Sequence, residues 1–231
     1  MPTRSRALLF DFGGTLDADG LRWSVRFHAA YIAGSGRVGA DDFEDIFRAS
    51  DRALLDWPGI QRLGFRAMID AQTAVLQPML VDGDTIDWHA VASRVHDDAL
   101  RVSDRNRPLL RALRREFRLG VVSNFTGNLV HCLDELDLLD TFDHVTDSAV
   151  LGVSKPNPGA FLATLRELAV DPTHAWIIGD NFEADIRPAR PLGMRSCWLT
   201  PPERIAPIDG AFDARIARLT DLPEVLRACT D

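Results

Sequence analysis

Ala7-Leu8-Leu9-Phe10-Asp11-Phe12-Gly13-Gly14-Thr15-Leu16 is the stretch on which the reading of the whole chain turns. Four consecutive apolar residues, flanked by polar ones, suit a short strand buried on both faces of a parallel sheet. The run ends in an acid and two glycines, a sharp turn that leaves a carboxylate at the strand's carboxyl end. Ligands bind outside the carboxyl ends of strands in open parallel sheets, so Asp11 stands where chemistry is expected.

Outward from this strand the pattern changes twice. From about residue 17 to residue 107 the apolar residues recur at helical spacing. One stripe runs Trp23, Phe27, Ala30, Tyr31; a second Phe43, Ile46, Phe47, Leu54, Trp57; a third Ile60, Leu63, Ala67, Ala71, Val75; a fourth Trp88, Val91, Ala92, Val95, Ala99, Val102. Four amphipathic helices of this kind make a small bundle with the stripes as its core. After Pro108 strand and helix alternate: strands over 117–122, 142–146, 176–178 and 196–199, helices over 129–136, 160–168 and 186–192. That alternation implies right-handed crossovers and an α/β, doubly wound parallel sheet, with the bundle inserted after its first strand. The expected division is residues 1–16 and 107–231 as sheet domain and 17–106 as a helical lid over the carboxyl edge.

The chain has 231 residues, 46% of them apolar and 26% charged, which excludes a disordered or fibrous chain. Its net charge is 26 − 34 = −8. Such an acidic chain lacks the basic face of a nucleic-acid binder. No apolar run is long enough to span a bilayer. Cys132, Cys197 and Cys229 are scattered and form no metal or disulfide framework, so a reduced, cytoplasmic protein without membrane or nucleic-acid partners is expected. Oligomeric state is left open. Arginine supplies every basic residue but one, and that one is Lys155.

The strand ends carry the functional argument. They present Asp11, Ser123-Asn124 and Asp180-Asn181, with Asp185 just beyond and Lys155 in the stretch Ser154-Lys155-Pro156-Asn157-Pro158. Crowded carboxylates repel unless a cation joins them, and all-oxygen ligands favour Mg²⁺. A lysine would balance charge and hold a phosphate oxygen. The helix after Ser123 offers free N–H groups to an anion. Each residue also has a plainer reading. Asp11 and Asp180 suit turns or caps, Ser123 a helix cap, Asp185 a first-turn acid, and Asn124 and Asn181 turns.

Four stretches in order resemble the haloacid dehalogenase-like hydrolases: Phe10-Asp11-Phe12-Gly13-Gly14-Thr15-Leu16; Val121-Val122-Ser123-Asn124; Lys155-Pro156 with Phe161; and Gly179-Asp180-Asn181 with Asp185 and Gly193. The helical insertion resembles that family's type 1 cap. The resemblance implies a Rossmann-like core and a Mg²⁺-dependent hydrolase that removes phosphate from a small phosphorylated metabolite. In it Asp11 is the nucleophile that becomes an aspartyl-phosphate, and Ser123 and Lys155 hold the transferring group. Asp11, Asp180, Asp185 and the backbone carbonyl of Gly13 are the implied metal ligands. Asn124, Arg26 and His28 are candidate substrate contacts, as are Trp23, Trp57 and Arg62 on the lid.

One position departs from the family. Its phosphatases carry a second aspartate two residues after the nucleophile, which protonates the leaving group; here that position is Gly13. Losing a general acid costs about 10²–10⁴-fold in rate. Asp17, Asp19 and His28 are candidates to replace it. Two other outcomes stay open: a 2-haloacid dehalogenase, whose halide needs no proton, and a weakly catalytic binding protein on the same fold. The phosphonatase mechanism needs a lid lysine, and residues 17–106 contain none.

Overall fold

A computed structural model describes residues 4–205 and 211–228. Strand β1 (Ala7–Phe10) is buried along its whole length and lies at the centre of the sheet. Alternate side chains of a strand point to opposite faces. Leu8 and Phe10 accordingly join one apolar cluster, Ala7 and Leu9 the other. Around it pack β2 (Arg118–Ser123), β3 (His144–Asp147), β4 (Ala175–Gly179), β5 (Arg195–Leu199) and β6 (Ala214–Ile216). Among the described residues the order is β3-β2-β1-β4-β5-β6, all parallel. The chain moves outward through β2 and β3, then returns to the far side of β1. That reversal opens a crevice at the carboxyl edge beside β1. The doubly wound α/β fold expected from the sequence is therefore present, and β6 extends it by a short strand the apolar pattern did not reveal.

Helices α1 (Trp23–Ala33), α2 (Ala40–Leu54), α3 (Phe65–Leu76) and α4 (Trp88–Leu113) follow β1. Their stripes interlock: Phe27 meets Phe47 with ring centroids 5.2 Å apart, and Tyr31 meets Phe43 at the same separation. Three stripe residues fall outside the regular helices, since Trp57 follows α2, Ile60 opens a short 3-10 turn and Leu63 follows that turn in extended conformation. Helix α4 passes without a break through residue 107 and carries Pro108 inside it. Its buried Asn106 donates to the carbonyl of Leu16 (3.2 Å), tying the helix to the turn after β1.

Helices α5 (Leu129–Glu135), α6 (Ser148–Leu151), α7 (Pro158–Leu168) and α8 (Leu222–Ala228) complete the described secondary structure with several 3-10 turns. The helix expected over 186–192 is instead a π-helical turn, Phe182–Ile186, and a 3-10 turn, Arg190–Leu192. Pro188 and Pro191 lack the N–H that a regular helix needs. Cys132 and Cys197 are buried, and Cys229 lies outside the described residues. None of the described helices is long and apolar enough to cross a membrane.

Candidate active site

Strand register brings the polar residues together. Phe10 lies opposite Val121 of β2 and opposite Ile178 of β4, so Asp11, Ser123 and Asp180 leave three adjacent strands at one edge. The Ser123 hydroxyl donates to Asp11 Oδ1 at 2.9 Å, and Lys155 Nζ donates to the same oxygen at 2.7 Å. Lys155 also reaches Asp185 Oδ1 at 2.5 Å. Burial opposes the charge on Lys155, but the Asp11 and Asp185 carboxylates outweigh it and hold the ammonium's pKa above its ordinary value.

Asn124 positions the lysine. Its side-chain amide donates to the Lys155 carbonyl (2.9 Å) and accepts from the Lys155 N–H (2.8 Å). Asp185 is fixed on its other side, where Oδ2 accepts from the Asn181 N–H at 3.1 Å. Asp180 is held through its carbonyl, which accepts from the Trp198 indole at 3.0 Å, while among the described residues its carboxylate receives only a long hydrogen bond (3.4 Å) from Thr15. Gly14 has φ +93°, and a Cβ there would lie 2.7 Å from the Asp180 carboxyl carbon. A side chain at this position is excluded both by conformation and by space.

Asp11, Asp180 and Asp185 are all buried, and each offers an oxygen within 4.8 Å of the others. Burial and mutual repulsion raise the Asp180 carboxyl well above the ordinary carboxylate range, and burial pushes Asp185 up to about 6 despite Lys155. Three carboxylates facing one ammonium leave an excess of negative charge out of water, which is costly without a further cation. The donors are all hard oxygens, and this set fits a Mg²⁺-like ion.

The site opens into a cavity of about 860 Å³. Asp11, Gly13, Ser123, Lys155 and Asp180 line it from the sheet, and Glu44, Arg48, Asp51 and Arg52 line it from α2. Trp23 also lines it, whereas Trp57 and Arg62 do not.

Several expectations are corrected here. Arg26 is not a wall of the cavity; it is a buried structural cation, donating to Asp17 Oδ2 (2.6 Å) and the Val95 carbonyl (3.1 Å). His28 faces away from the cavity lining, with Nε2 on the Val38 carbonyl (3.0 Å) and its ring against Phe43. Asp17 is fully buried, accepts from the Gly14 N–H, the Trp23 indole and Arg26, and does not line the cavity, so it is not placed to pass a proton to a substrate there. Asp19 is gripped by both terminal nitrogens of Arg105. The N–H groups of Gly127 and Leu129 that lead into α5 are taken by Asp147 Oδ2, and so are not open to an anion.

Two features of the site had no signal in the sequence alone. The space beside Gly13 is filled by Trp23: a Cβ at position 13 would lie 3.1 Å from the indole nitrogen. The carboxyl of Asp51, one of many charges on a polar helix face, turns out to line the cavity.

The family model described as haloacid dehalogenase-like hydrolase matches residues 5–193. The chain belongs to the haloacid dehalogenase-like hydrolases. Among its relatives in this family is the glyceraldehyde 3-phosphate phosphatase of Methanopyrus kandleri, 38% identical over 196 residues, covering 82% of this chain and 81% of that protein. The human haloacid dehalogenase-like hydrolase domain-containing protein 3 is 35% identical over 114 residues, 49% of this chain. That match spans only 45% of the human protein. Among solved haloacid dehalogenase-like structures, a 2-haloacid dehalogenase from Pseudomonas syringae pv. Tomato is 28% identical with a TM-score of 0.56, covering 97% of this chain and 99% of that one. Phosphatases are thus among the named relatives of the chain within this hydrolase family.

Proposed function

We propose that the protein is a cytoplasmic, Mg²⁺-dependent phosphatase acting on a small phosphorylated metabolite, with residues 17–106 as its lid. The observation that carries this reading is the double hold on Asp11 Oδ1 by Ser123 and Lys155, with the Asp180 carboxylate close by. Asp11, Asp180, Asp185 and the carbonyl of Gly13 would hold the ion, which supplies charge neutralisation for the phosphoryl oxygens. Asp11 attacks phosphorus, the bond to the leaving oxygen breaks, and the phosphoryl group rests on Asp11 until water removes it. Ser123 and Lys155 orient Asp11 and hold the oxygens as charge builds on them. Asn124 keeps Lys155 in place, and the lid excludes water while the substrate is bound.

The test is phosphate release from an aryl phosphate with Mg²⁺. Asp11→Asn is expected to fall to background; unchanged activity in that variant rejects the nucleophile. A second reading, hydrolysis of a 2-haloacid, is favoured by the absent acid at Gly13 and by the likeness to the Pseudomonas dehalogenase. Halide release from a 2-haloacid in the absence of added metal would establish it instead.

A further inference from the structure

We propose that Asp51, on α2, supplies the proton that Gly13 cannot: its carboxyl protonates the leaving oxygen and its carboxylate then accepts a proton from the attacking water. The proposal rests on the phosphatase reading above. Asp11, Asp180 and Asp185 are occupied with the phosphoryl and cation chemistry. Asp17 and Asp19 are held by Arg26 and Arg105. Glu44 is ion-paired with Arg48 at 3.1 Å, and although burial acts against it, Ser24 and Arg48 hold its pKa below the usual carboxylate range. Asp51 lines the cavity and has no hydrogen bond or ion pair among the described residues.

Direction favours the same residue. In-line displacement places the leaving oxygen opposite the attacking one. Asp11 attacks from the sheet, so the leaving group points away from the sheet into the cavity, of which α2 forms one wall. That side is prepared for a polar guest. Gln72 of α3 lines the cavity with its side chain fully buried, and its amide oxygen has no partner among the described residues.

The charged groups around Asp51 are Glu44, Arg48 and Arg52 on its own helix and Arg22 ahead of α1; α3 contributes only the uncharged Met68 and Gln72. Asp51 is exposed to water by its accessible surface, although the protein packed around it still desolvates its carboxyl. That desolvation, with Glu44 beside it, pushes the carboxyl up to about 7 against the pull of Arg52. A general acid works best near the operating pH.

The step balances simply. As the Asp11–phosphorus bond forms, the phosphorus–oxygen bond to the alcohol breaks and its electron pair takes the Asp51 proton. Water then attacks phosphorus, its proton goes to Asp51, and Asp11 and phosphate are released.

The experiment compares wild type, Asp51→Asn and Asp51→Glu on phosphate monoesters graded from aryl to alkyl leaving groups, with Mg²⁺ present. Asp51→Asn is expected to lose about 10²–10⁴-fold on the alkyl esters, with the loss shrinking as the leaving group improves. Asp51→Glu is expected to recover part of it. The wild-type rate on an alkyl ester should fall as pH rises through about 7, because the acid must be protonated, and Asp51→Asn should lack that limb. Equal losses on aryl and alkyl esters, or an unchanged limb in Asp51→Asn, overturn the assignment. Failure of the wild type to release phosphate from any ester overturns the phosphatase reading beneath it, a result distinct from either.

Discussion

Position 13 shows how a missing side chain reorganises its surroundings. With no Cβ there, the Trp23 indole moves in beside the nucleophile turn and donates to the buried Asp17 at 2.9 Å. Gly13→Ala should therefore cost about 1–3 kcal/mol by overpacking against a ring that is pinned in place. Pairing it with Trp23→Leu should return much of that loss, a coupling that a urea-denaturation cycle measures. For the same reason, simply restoring an aspartate at Gly13 is not a clean rescue, since its Cβ would crowd the Trp23 indole nitrogen at 3.1 Å. Asp17 itself anchors Arg26, and both side chains are buried. Asp17→Ala strands that guanidinium and should destabilise the fold by about 3–5 kcal/mol, read from the shift in urea midpoint.

At the scale of elements, β3 and the start of α5 are joined through one side chain. Asp147 accepts from the N–H groups of Gly127, Leu129 and Ala149, so it caps α6 and steadies the loop after Ser123 together. Asp147→Ala should cost more than the roughly 1 kcal/mol of one lost cap, and amide exchange at Leu129 and Ala149 should accelerate together. This scale also marks what could be read from sequence. β1, β2, β4 and β5 were legible because each is a buried apolar run with a polar residue at its end. Helices α1 to α4 were legible from their 3.6-residue stripes. β6 was not, since Ala214-Arg215-Ile216 has no apolar run to find. Asp11, Ser123 and Asp180 were legible because strand order gathers strand ends, and Lys155 because it is the one lysine of the chain, in the stretch that leads into α7. Arg26 and His28 were misplaced because a stripe tells which face a residue occupies but not which neighbour claims it. Asp51 was hidden because a charge on a polar helix face has no signature until the helix is set over a cavity.

Taken as a whole molecule, the protein gathers three buried carboxylates around one lysine, and a bound divalent ion should be coupled to global stability. Mg²⁺ at 100 times its dissociation constant should add about 2.7 kcal/mol. The Tm should rise with Mg²⁺ in the wild type, and Asp180→Asn should abolish that response; an equal rise in the variant would place the ion elsewhere. The central claim, that residues far apart in sequence meet to move a phosphoryl group onto Asp11, has a direct test. Wild-type protein is quenched with acid during turnover of an aryl phosphate with Mg²⁺, and its peptides are read by mass spectrometry. A phosphoryl adduct on Asp11, absent when Asp11→Asn is treated alike, is the predicted result; steady phosphate release with no adduct on Asp11 would contradict it.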